Sequence, residues 1–419
     1  MDWKTTRIGD VIGGLFDGPH ATPKEATSGP VFLGIKNITD DGFMDLSSIR
    51  HIDPDDFPTW TKRVVPREGD IVFTYEATLN RYAIIPMGFV GCLGRRMALI
   101  RPDDQKAIGK FLHYYFFGTE WRKVIDANTL RGATVDRIPL TTFPNFPVRL
   151  PPIPTQRRIA EILSAYDDLI EVNTRRIKAL EEMARRTYEE WFVRERNNLQ
   201  TNQNEWIWTT LGEYCQRVGG SIQTGPFGSQ LHQSDYAEAG IPVVMPKNII
   251  DGRIDQVSCA KIPSQLAQGL KRHALAPGDI VFARRGDIGR KARVRRNDTG
   301  VLCGTGCLKV TFQSPLAASH YVSSYFDEQE TIEALAGRAI GATMPNLNTQ
   351  ILAEMPFPIP PFDRLLEFER VSEENDLLAS TLARQNTNLR TQRDLLLPRL
   401  VSGAIDVSEV EPILEVAAE

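Results

Sequence analysis

One stretch of this sequence limits the choice of fold more than any other. Residues 151–192 read PPIPTQRRIAEILSAYDDLIEVNTRRIKALEEMARRTYEEWF, with prolines at the start and neither glycine nor proline after them. The prolines exclude helix before Thr155, which is a suitable N-cap residue. Apolar residues then recur in steps of three and four, which predicts one narrow apolar seam along a helix from Thr155 to Phe192. The apolar seam residues are Leu163, Tyr166, Ile170, Ile177, Leu180, Ala184 and Trp191.

A helix of this length needs a partner along its seam. At about 1.5 Å per residue it would extend roughly 55 Å. Asn173 interrupts the apolar seam, and a polar seam residue usually fixes the register and the number of paired helices. Acid–base pairs four residues apart, such as Glu182 with Arg186, cover the other faces.

The chain supplies a second helix of the same kind. A shift of 209 residues places Pro151 on Pro360 and Asp167 on Asp376, and the second segment is again free of glycine and proline until Pro398. Equal length and a shared prolyl start predict that the two helices pair antiparallel within one chain. The alternative is two unrelated surface helices, which leaves these matches unexplained. The apolar stripe of the second helix is Leu378, Leu382, Leu389 and Leu396.

The same shift aligns residues outside the helices. The sequence GDIVF occurs at 69–73 and again at 278–282, and KNI at 36–38 matches KNI at 247–249 after a small insertion. Matches in constant order indicate a tandem duplication, in which a globular domain is followed by a long helix. The predicted divisions are a first globular domain 1–150, a central long helix 151–200, a second globular domain 201–359, a C-terminal long helix 360–403 and an acidic tail 404–419.

Each globular domain mixes short strands with helices. Aromatic residues at helical spacing predict a helix from Lys110 to Ile125 and another around His320 to Ala336. Without strict alternation of strand and helix, the predicted fold class is α+β, with two globular domains, two long antiparallel helices and pseudo-two-fold duplication. The predicted strands are Val31–Ile35, Asp70–Thr74, Tyr82–Ile85, Met97–Ile100, Val243–Met245, Asp279–Ala283 and Lys309–Phe312.

Charge is distributed unevenly along the chain. The net charge is −4, and residues 361–419 alone hold six basic against twelve acidic side chains. No basic field covers the whole chain, so any binding to nucleic acid would depend on local patches. We expect the exposed acids of this segment, including Glu367, Glu373 and Glu374, to face away from phosphate or toward a protein partner.

Cysteine usage and the N-terminus favour a cytoplasmic protein. The five cysteines are odd in number and scattered, which is typical of reduced thiols. The first residues, MDWKTTRIGD, contain no apolar signal region, and no apolar run approaches the length of a membrane span. Cys303 and Cys307 have no neighbouring Cys or His pair, so we expect buried thiols and no metal.

The most basic segment is ARRGDIGRKARVRR, residues 283–296, with seven basic side chains and one acid. Glycine lets a backbone approach phosphate closely, and arginine can bind guanine or phosphate through two hydrogen bonds. The alternative is a solvated hairpin. Strand alternation should send Arg293 and Arg295 to one face and Val294 and Arg296 to the other. The predicted DNA-facing residues of this segment are Arg284, Arg285, Arg290, Lys291 and Arg293.

Two further pairs of segments suggest the same role. TGPFGSQL at 224–231 matches DGPHATP at 17–23, and the KN pairs each follow a strand and precede a turn. Asparagine can read adenine and lysine can bind phosphate. The alternative is ordinary turn chemistry, since glycine and asparagine favour turns. The candidate residues from these segments are Lys36, Asn37, Ser229, Lys247 and Asn248, together with Arg81, which the repeat places on Arg290.

Sequence motifs of catalysis are missing. We find no phosphate-binding loop, dinucleotide fingerprint, amino-methyltransferase motif, HExxH zinc motif or nucleophile elbow. A chain of this size without such motifs is better interpreted as a binding subunit that has no cofactor of its own.

The duplicated plan resembles a known family. PPIPTQRRIAEIL and DDLIEVN in the first helix, and RDLLLPRLVSGAIDV near the C-terminus, are similar to segments of the specificity subunits of type I restriction-modification systems. TGPFGSQL, PKNI, GDIVFARRGDIGR and GVLCGTGCLKV are similar to segments of that family's target recognition domains. The chain departs from the family pattern at PPFDRLLEFE, which lacks the glutamine found at Gln156 in the first copy.

The resemblance implies a function. Each globular domain would read one half of an interrupted site in double-stranded DNA, and the antiparallel helices would act as a spacer on which methyltransferase subunits dock, two of them. Half-sites one helical turn apart need readers about 34 Å apart, which the predicted helices can span. The methyl donor and any ATP would bind to partner subunits, and the presence of endonuclease or translocase subunits is left open.

Two alternatives come from other classes. A coiled-coil assembly protein with two interaction domains and no role on DNA would show no salt-dependent binding to duplex DNA. An enzyme with an unrecognised site would be active as an isolated chain.

Overall fold

Both long helices are present. In the computed structural model, which describes residues 3–132, 135–197, 206–298, 300–313, 318–339, 341 and 346–408, the chain divides into two units. Unit 1 comprises Met1–Val172 and Asn386–Glu419, and unit 2 comprises Asn173–Gln385. Each unit therefore contains one globular part and a portion of both long helices.

The globular part of unit 1 contains three β-sheets and short helices. The order of strands is β1-β9 in one sheet, β2-β8-β5-β6 in the second and β4-β3-β7 in the third. The elements are β1 (Lys4–Arg7), β2 (Ile12–Asp17), β3 (Ala26–Leu33), β4 (Arg50–His51), α1 (Phe57–Trp60), β5 (Ile71–Thr74), β6 (Tyr82–Ile84), β7 (Gly91–Leu93), β8 (Met97–Pro102), α2 (Gly109–Tyr115), α3 (Thr119–Asn128) and β9 (Pro147–Leu150).

The first long helix, α4 (Ile153–Tyr188), begins two residues before the predicted Thr155. Pro154 lies in its first turn, where the missing N–H of proline is not needed. A π-helical turn (Glu189–Val193) and a last turn α5 (Arg194–Asn197) continue the helix.

Unit 2 repeats the sheets of unit 1. Its sheet orders are β10-β20, β11-β19-β16-β17 and β15-β12-β18, with an added hairpin β13-β14. The matching orders confirm the predicted duplication of an α+β unit. The elements are β10 (Ile207–Thr210), α6 (Leu211–Arg217), β11 (Ser221–Thr224), β12 (Ile241–Val244), β13 (Ile249–Ile250), β14 (Arg253–Ile254), β15 (Ala260–Ile262), α7 (Ser264–Gly269), β16 (Ile280–Ala283), β17 (Lys291–Arg293), β18 (Leu302–Cys303), β19 (Cys307–Thr311), α8 (Ser319–Tyr325), α9 (Gln329–Arg338), α10 (Thr349–Ala353), β20 (Pro356–Ile359) and the second long helix α11 (Phe362–Val401).

The repeated GDIVF segments form the central strands of the two larger sheets. In β16, Ile280 and Phe282 face one hydrophobic core, and Val281 faces another. The strand is buried on both sides, which explains an apolar run without polar alternation. The preceding Asp279 is buried and accepts a hydrogen bond from the Ala276 backbone N–H at 2.9 Å. Asp70 binds the Arg67 backbone N–H in the same way, at 3.0 Å.

The two long helices pair antiparallel in both units, as predicted. In unit 1, Asp167 of α4 lies 2.6 Å from Arg393 of α11, and the Asn386 side-chain amide donates to the Ile170 carbonyl oxygen at 3.2 Å. In unit 2, Ile177 of α4 packs in one cluster with Ala379 and Leu382 of α11. As residue numbers rise along α4, the residue numbers of the contacts on α11 fall, which is the antiparallel arrangement.

The seam of α11 contains more polar residues than its leucines suggest. Residues Leu365, Ser372, Ala379, Asn386, Arg393 and Leu400 are all buried and recur every seven positions. Leu378 is 40 % exposed, whereas the neighbouring Ala379 is buried. The prediction of Leu378 as a seam residue was therefore wrong, and Ala379 occupies that seam position. Of the other predicted pairing residues, Leu163, Ile170, Asn173, Ile177 and Leu382 are buried, and Leu180, Leu389 and Leu396 are half-buried.

The five cysteines are buried and unpaired, and burial raises the pKa of Cys303 to about 12. Among the described helices, none is long and apolar enough to cross a bilayer.

Candidate nucleic-acid interface

Four loops of unit 2 meet at one edge of its sheets. The first loop follows β11, the second follows β12, the third connects β16 to β17, and the fourth connects β18 to β19. The strand register requires this, because Thr224 pairs with Leu308, Ala283 pairs with Cys307, and β12 runs parallel to β18. We call residues 225–231, 245–248, 284–290 and 304–306 the loop edge of unit 2.

Close backbone contacts hold the loops together. A Cβ atom on Gly225 would lie 1.9 Å from the carbonyl oxygen of Gly304, so only glycine fits there. The Arg284 backbone N–H donates to the carbonyl oxygen of Gly306 at 2.9 Å. Gly306 in turn lies against Pro246. The loop edge is therefore one connected surface.

Unit 1 has the same edge. Its loops are residues 18–25, 34–37, 75–81 and 94–96, which follow or connect the equivalent strands. A Cβ atom on Gly18 would lie 2.1 Å from the carbonyl oxygen of Gly94, as at Gly225 and Gly304. The duplication thus extends to the packing of the glycine loops.

The basic turn 284–290 projects from the loop edge of unit 2. Gly286 and Gly289 have φ of +84° and +102°, which confirms the predicted tight turn. Arg285 is exposed, and the Arg290 side chain is 39 % exposed with a 3.1 Å ion pair to Asp287. Arg284 is half-buried because its Nε donates to the Leu347 carbonyl oxygen at 2.8 Å.

Lys247 and Ser229 lie on the same edge. Both side chains are exposed to solvent. The carbonyl oxygen of Pro246, next to Lys247, accepts a hydrogen bond from Arg290 Nη1 at 3.4 Å, so the lysine loop adjoins the basic turn. Four predicted residues, Ser229, Lys247, Arg285 and Arg290, are thus brought together with accessible side chains.

Lys291 lies inside unit 2. It is 4 % exposed, and its Nζ is 2.6 Å from Asp327 Oδ1. Burial lowers the pKa of Lys291, and the nearby Asp327 carboxylate opposes this shift. The side chain therefore stabilises the contact of β17 with α8 and is not accessible for a contact with DNA.

Arg293 faces the long helices. Arg293 and Arg295 both form ion pairs with Asp376 of α11, while Val294 is fully buried, as predicted. The prediction was wrong for Arg296, which lies 2.9 Å from Glu373, also on α11, because β17 ends at Arg293 and strand alternation stops there. The basic segment therefore divides: residues 284–290 belong to the loop edge, and residues 293–296 bind acids of the long helices.

Asn37 and Asn248 have structural contacts in place of the predicted contact with adenine. Both are buried. Asn37 Oδ1 accepts the Gly34 N–H at 3.0 Å, and Asn248 Oδ1 accepts the Met245 N–H at 2.9 Å. Each side chain closes its own turn, so neither is presented to a ligand. Their repeat position reflects a repeated turn.

The loop edge of unit 1 spreads its basic residues over all four loops, with Arg95 exposed on the last of them. Arg81 makes two hydrogen bonds to Asp40, at 2.7 and 3.1 Å, and its side chain is 25 % exposed. Lys36 is exposed and donates to Ser48 Oγ at 3.0 Å. The two units thus present different chemistry on one scaffold.

Arg63 and Arg272 belong to the edge but were missed from the sequence. Arg63 Nη1 donates to the Gly18 carbonyl oxygen at 3.3 Å, and Arg272 Nη2 donates to Gln230 Oε1 at 3.0 Å. Both therefore hold the glycine loop of their unit. The shift of 209 residues aligns Arg63 with Arg272, and this match in the repeat could have identified both residues from the sequence.

In the described part of the chain, one group has the spacing of metal ligands: His320, Glu373 and Asp376. Its carboxylates already pair with Arg293 and Arg296. These guanidinium groups neutralise the acids, and we assign no metal to the group.

Known proteins share this plan. Residues 1–182 match the family model described as the type I restriction modification DNA specificity domain. The MjaIX specificity subunit of a type I restriction enzyme from Methanocaldococcus jannaschii is 24 % identical over 97 % of this chain and 90 % of that protein. The HindI specificity subunit from Haemophilus influenzae is 25 % identical over 46 % of this chain and 41 % of that protein.

One solved structure shares the fold. The type I restriction-modification S subunit from M. genitalium superposes with a TM-score of 0.57 at 16 % identity, over 96 % of each chain. In sequence, fold and duplicated plan, this chain is similar to the specificity subunits of type I restriction-modification systems.

Proposed function

We propose that this chain binds double-stranded DNA sequence-specifically and directs a methyltransferase to it, with each globular domain reading one half of a bipartite target. The observation that carries the proposal is the repeated loop edge. Two units with the same sheet order place the same loops at the same edge, each with arginine beside a glycine loop. A duplicated reader fits a target with two half-sites.

The residues that would contact DNA are the accessible ones of the loop edges. In unit 2, Lys247, Arg285 and Arg290 can bind phosphate or guanine, and Ser229 can bind either. In unit 1, Lys36 and Arg81 occupy the matching positions. Lys291, Arg293, Asn37 and Asn248 would instead support the loops and the domain contacts described above.

The long helices would set the spacer and receive methyltransferase subunits. Each unit exposes large apolar side chains on its helix portions, which a docked protein subunit could cover. In unit 1 these are Leu169, Val172 and Leu395, and in unit 2 they are Met183, Phe362, Leu377 and Leu378. Matching surfaces on the two units would accommodate two methyltransferase subunits, one on each.

Catalysis would belong to the partners. The chain would supply sequence recognition, and the methyltransferase subunits would bind the methyl donor and the base to be methylated, which must leave the duplex. This complex would act in the cytoplasm. In this proposal residues 1–150 and 201–359 are the readers, 151–200 and 360–403 the spacer helices, and 404–419 an acidic tail, of which 409–419 lie outside the described residues.

The test is binding by the chain assembled with its methyltransferase subunit. A duplex containing the sequence methylated in the host genome and a scrambled duplex are titrated over a salt series. We expect the target to bind about a thousandfold more tightly than the scrambled duplex, with affinity falling as salt rises. Equal, salt-independent or undetectable binding would favour the alternative of a coiled-coil assembly protein without a role on DNA.

A further inference from the structure

Phe227 is a large apolar side chain on the loop edge of unit 2, and it is not among the residues proposed to contact DNA. It is 55 % exposed, although an aromatic ring is stabilised by leaving water. Gly228, Ser229 and Gln230, which follow it, are exposed as well. The ring therefore stands at the tip of the glycine loop, on the surface that carries the basic turn.

The loop that carries Phe227 is closed by its own hydrogen bonds. The backbone N–H groups of Gln230 and Leu231 both donate to the Phe227 carbonyl oxygen, at 2.8 and 3.2 Å. The Phe227 N–H donates to Gln230 Oε1 at 3.3 Å. A closed turn of this kind presents the ring with little conformational entropy left to lose on binding.

Both ends of the loop are fixed in the protein. Gly225 and Pro226 are buried, and the Gly225 N–H donates to the Cys307 carbonyl oxygen at 3.0 Å. At the other end, Leu231 is buried in a cluster with Val243 and Leu302. The exposed tip is therefore a defined projection between two anchors.

The charges around the tip favour DNA as the ligand. Arg272 contacts Gln230 in the turn itself, and the basic turn with Arg285 and Arg290 lies on the same edge. A ring beside several arginines suits a polyanion whose bases offer apolar faces. Proteins of several folds insert such a ring between base pairs of a duplex.

Unit 1 has a planar ring at the same position. His20 follows Gly18-Pro19 as Phe227 follows Gly225-Pro226. Its side chain is 62 % exposed, with Nε2 3.2 Å from Asp17 Oδ2. The duplication has thus kept an exposed ring two residues after the buried glycine in both units.

We propose that Phe227 stacks on a base pair of the target duplex as a wedge, so that recognition by unit 2 includes unstacking of one base step. The proposal rests on the proposed function. A wedge adds affinity through the apolar base face, and it adds specificity because pyrimidine–purine steps unstack more easily than others. His20 occupies the equivalent position in unit 1.

The test uses the chain assembled with its methyltransferase subunit. The Phe227→Ala, Phe227→Trp and Val257→Ala variants are compared with wild type, because Val257 is an apolar side chain of unit 2 that is 95 % exposed. Binding to the target duplex is measured over a salt series. The same duplex with 2-aminopurine at each position in turn reports unstacking as a rise in fluorescence.

We expect Phe227→Ala to weaken target binding by about tenfold to a hundredfold, as loss of one stacked base does. The salt dependence should stay unchanged, since no charge is removed. Wild type and Phe227→Trp should raise the fluorescence at one position, Phe227→Ala should not, and Val257→Ala should match wild type. Unchanged thermal unfolding of Phe227→Ala would show that the fold is retained.

If Phe227→Ala shows the affinity and the fluorescence of wild type, the wedge proposal is overturned. The proposed function would still stand in that case, because the wild-type chain would bind its target. Equal loss in Phe227→Trp and Phe227→Ala would overturn it too, because a stacking role tolerates a larger ring. A third outcome would exclude the wedge. If the wild-type chain loses the same affinity when uracil replaces thymine in the target, and 2-aminopurine fluorescence rises at no position, the ring contacts a thymine methyl group.

Discussion

Asp376 of α11 forms an ion pair with Arg293 at the end of β17, and the two side chains are only 15 % and 11 % exposed. The same carboxylate binds Arg295 Nε at 2.9 Å. One carboxylate between two arginines therefore contributes to the contact of the second globular domain with its helix portion. In unit 1, Asp167 occupies the matching position and binds both Tyr114 of α2 and Arg393 of α11, at 2.6 Å each.

Replacement of Asp376 should loosen this contact. In Asp376→Asn two mostly buried guanidinium groups lose their nearest counter-charge and keep only Glu373, 3.9 Å from Arg293, and Glu181, 3.5 Å from Arg295. We therefore expect the free energy of unfolding of unit 2 to fall by about 2 kcal/mol. Glu374→Gln is the matched control, because Glu374 is an exposed acid of the same helix. Its loss should cost less than about 1 kcal/mol in urea denaturation. Equal effects of the two substitutions would contradict a stabilising role of the Asp376 ion pairs.

The seam of the helices can be tested with two leucines of one helix. Leu382 is 4 % exposed and Leu378 is 40 % exposed. Leu382→Ala should lower the free energy of unfolding by about 2–5 kcal/mol because it leaves a cavity, whereas Leu378→Ala should change it by about 0.5 kcal/mol. A larger effect at Leu378 would mean that the seam follows the leucines and not the seven-residue series through Ala379.

The long helices, their antiparallel pairing and the duplicated α+β plan were predictable because they depend on periodicity and on repeated segments. The division of the basic segment was not. Whether Lys291 meets Asp327 or DNA depends on which helix packs against β17, and sequence spacing carries no information about that contact. Asn248 was misassigned for a related reason, since a turn-closing asparagine and a base-reading asparagine look alike in sequence.

A buried histidine makes unit 1 sensitive to acid. His113 packs in the core with its Nε2 3.1 Å from the Gly42 carbonyl oxygen, and burial lowers its pKa from 6.5 to about 4. The unfolded chain binds the proton near pH 6.5 and the folded chain only near pH 4. The free energy of unfolding should therefore fall as pH decreases through this window, by roughly 3 kcal/mol in full.

Urea denaturation of wild type and His113→Gln at several pH values checks this expectation. The variant should lose most of the slope between these pH values, because glutamine does not titrate. His232→Gln, a change at an exposed histidine of unit 2, is the control and should keep the wild-type slope. An unchanged slope in His113→Gln would contradict the prediction.

The division of the basic segment predicts different effects of its arginines on DNA binding. Arg285→Ala and Arg290→Ala should each lower the slope of log affinity against log salt by about one unit if they bind phosphate. If one of them reads a base, its removal should cost about 1–3 kcal/mol at one target position. Arg296→Ala is the control, since this side chain is 65 % exposed but pairs with Glu373.

The control should leave both the salt slope and the specificity unchanged. A loss of slope in Arg296→Ala equal to that in Arg290→Ala would mean that the whole segment faces DNA. Wild-type slopes in all three variants would leave residues 284–290 as a solvated turn.

The central claim is that the two domains read two halves of one target. Mapping of methylated bases in the genomes of cells that carry this chain with its methyltransferase tests it directly. A parallel culture expresses a chain in which residues 225–231 and 284–290 are replaced by those of another family member. The account predicts a bipartite methylated sequence in the first culture, and in the second a sequence with one half changed and the other half intact. A continuous target, or the loss of both halves after this exchange, would contradict it.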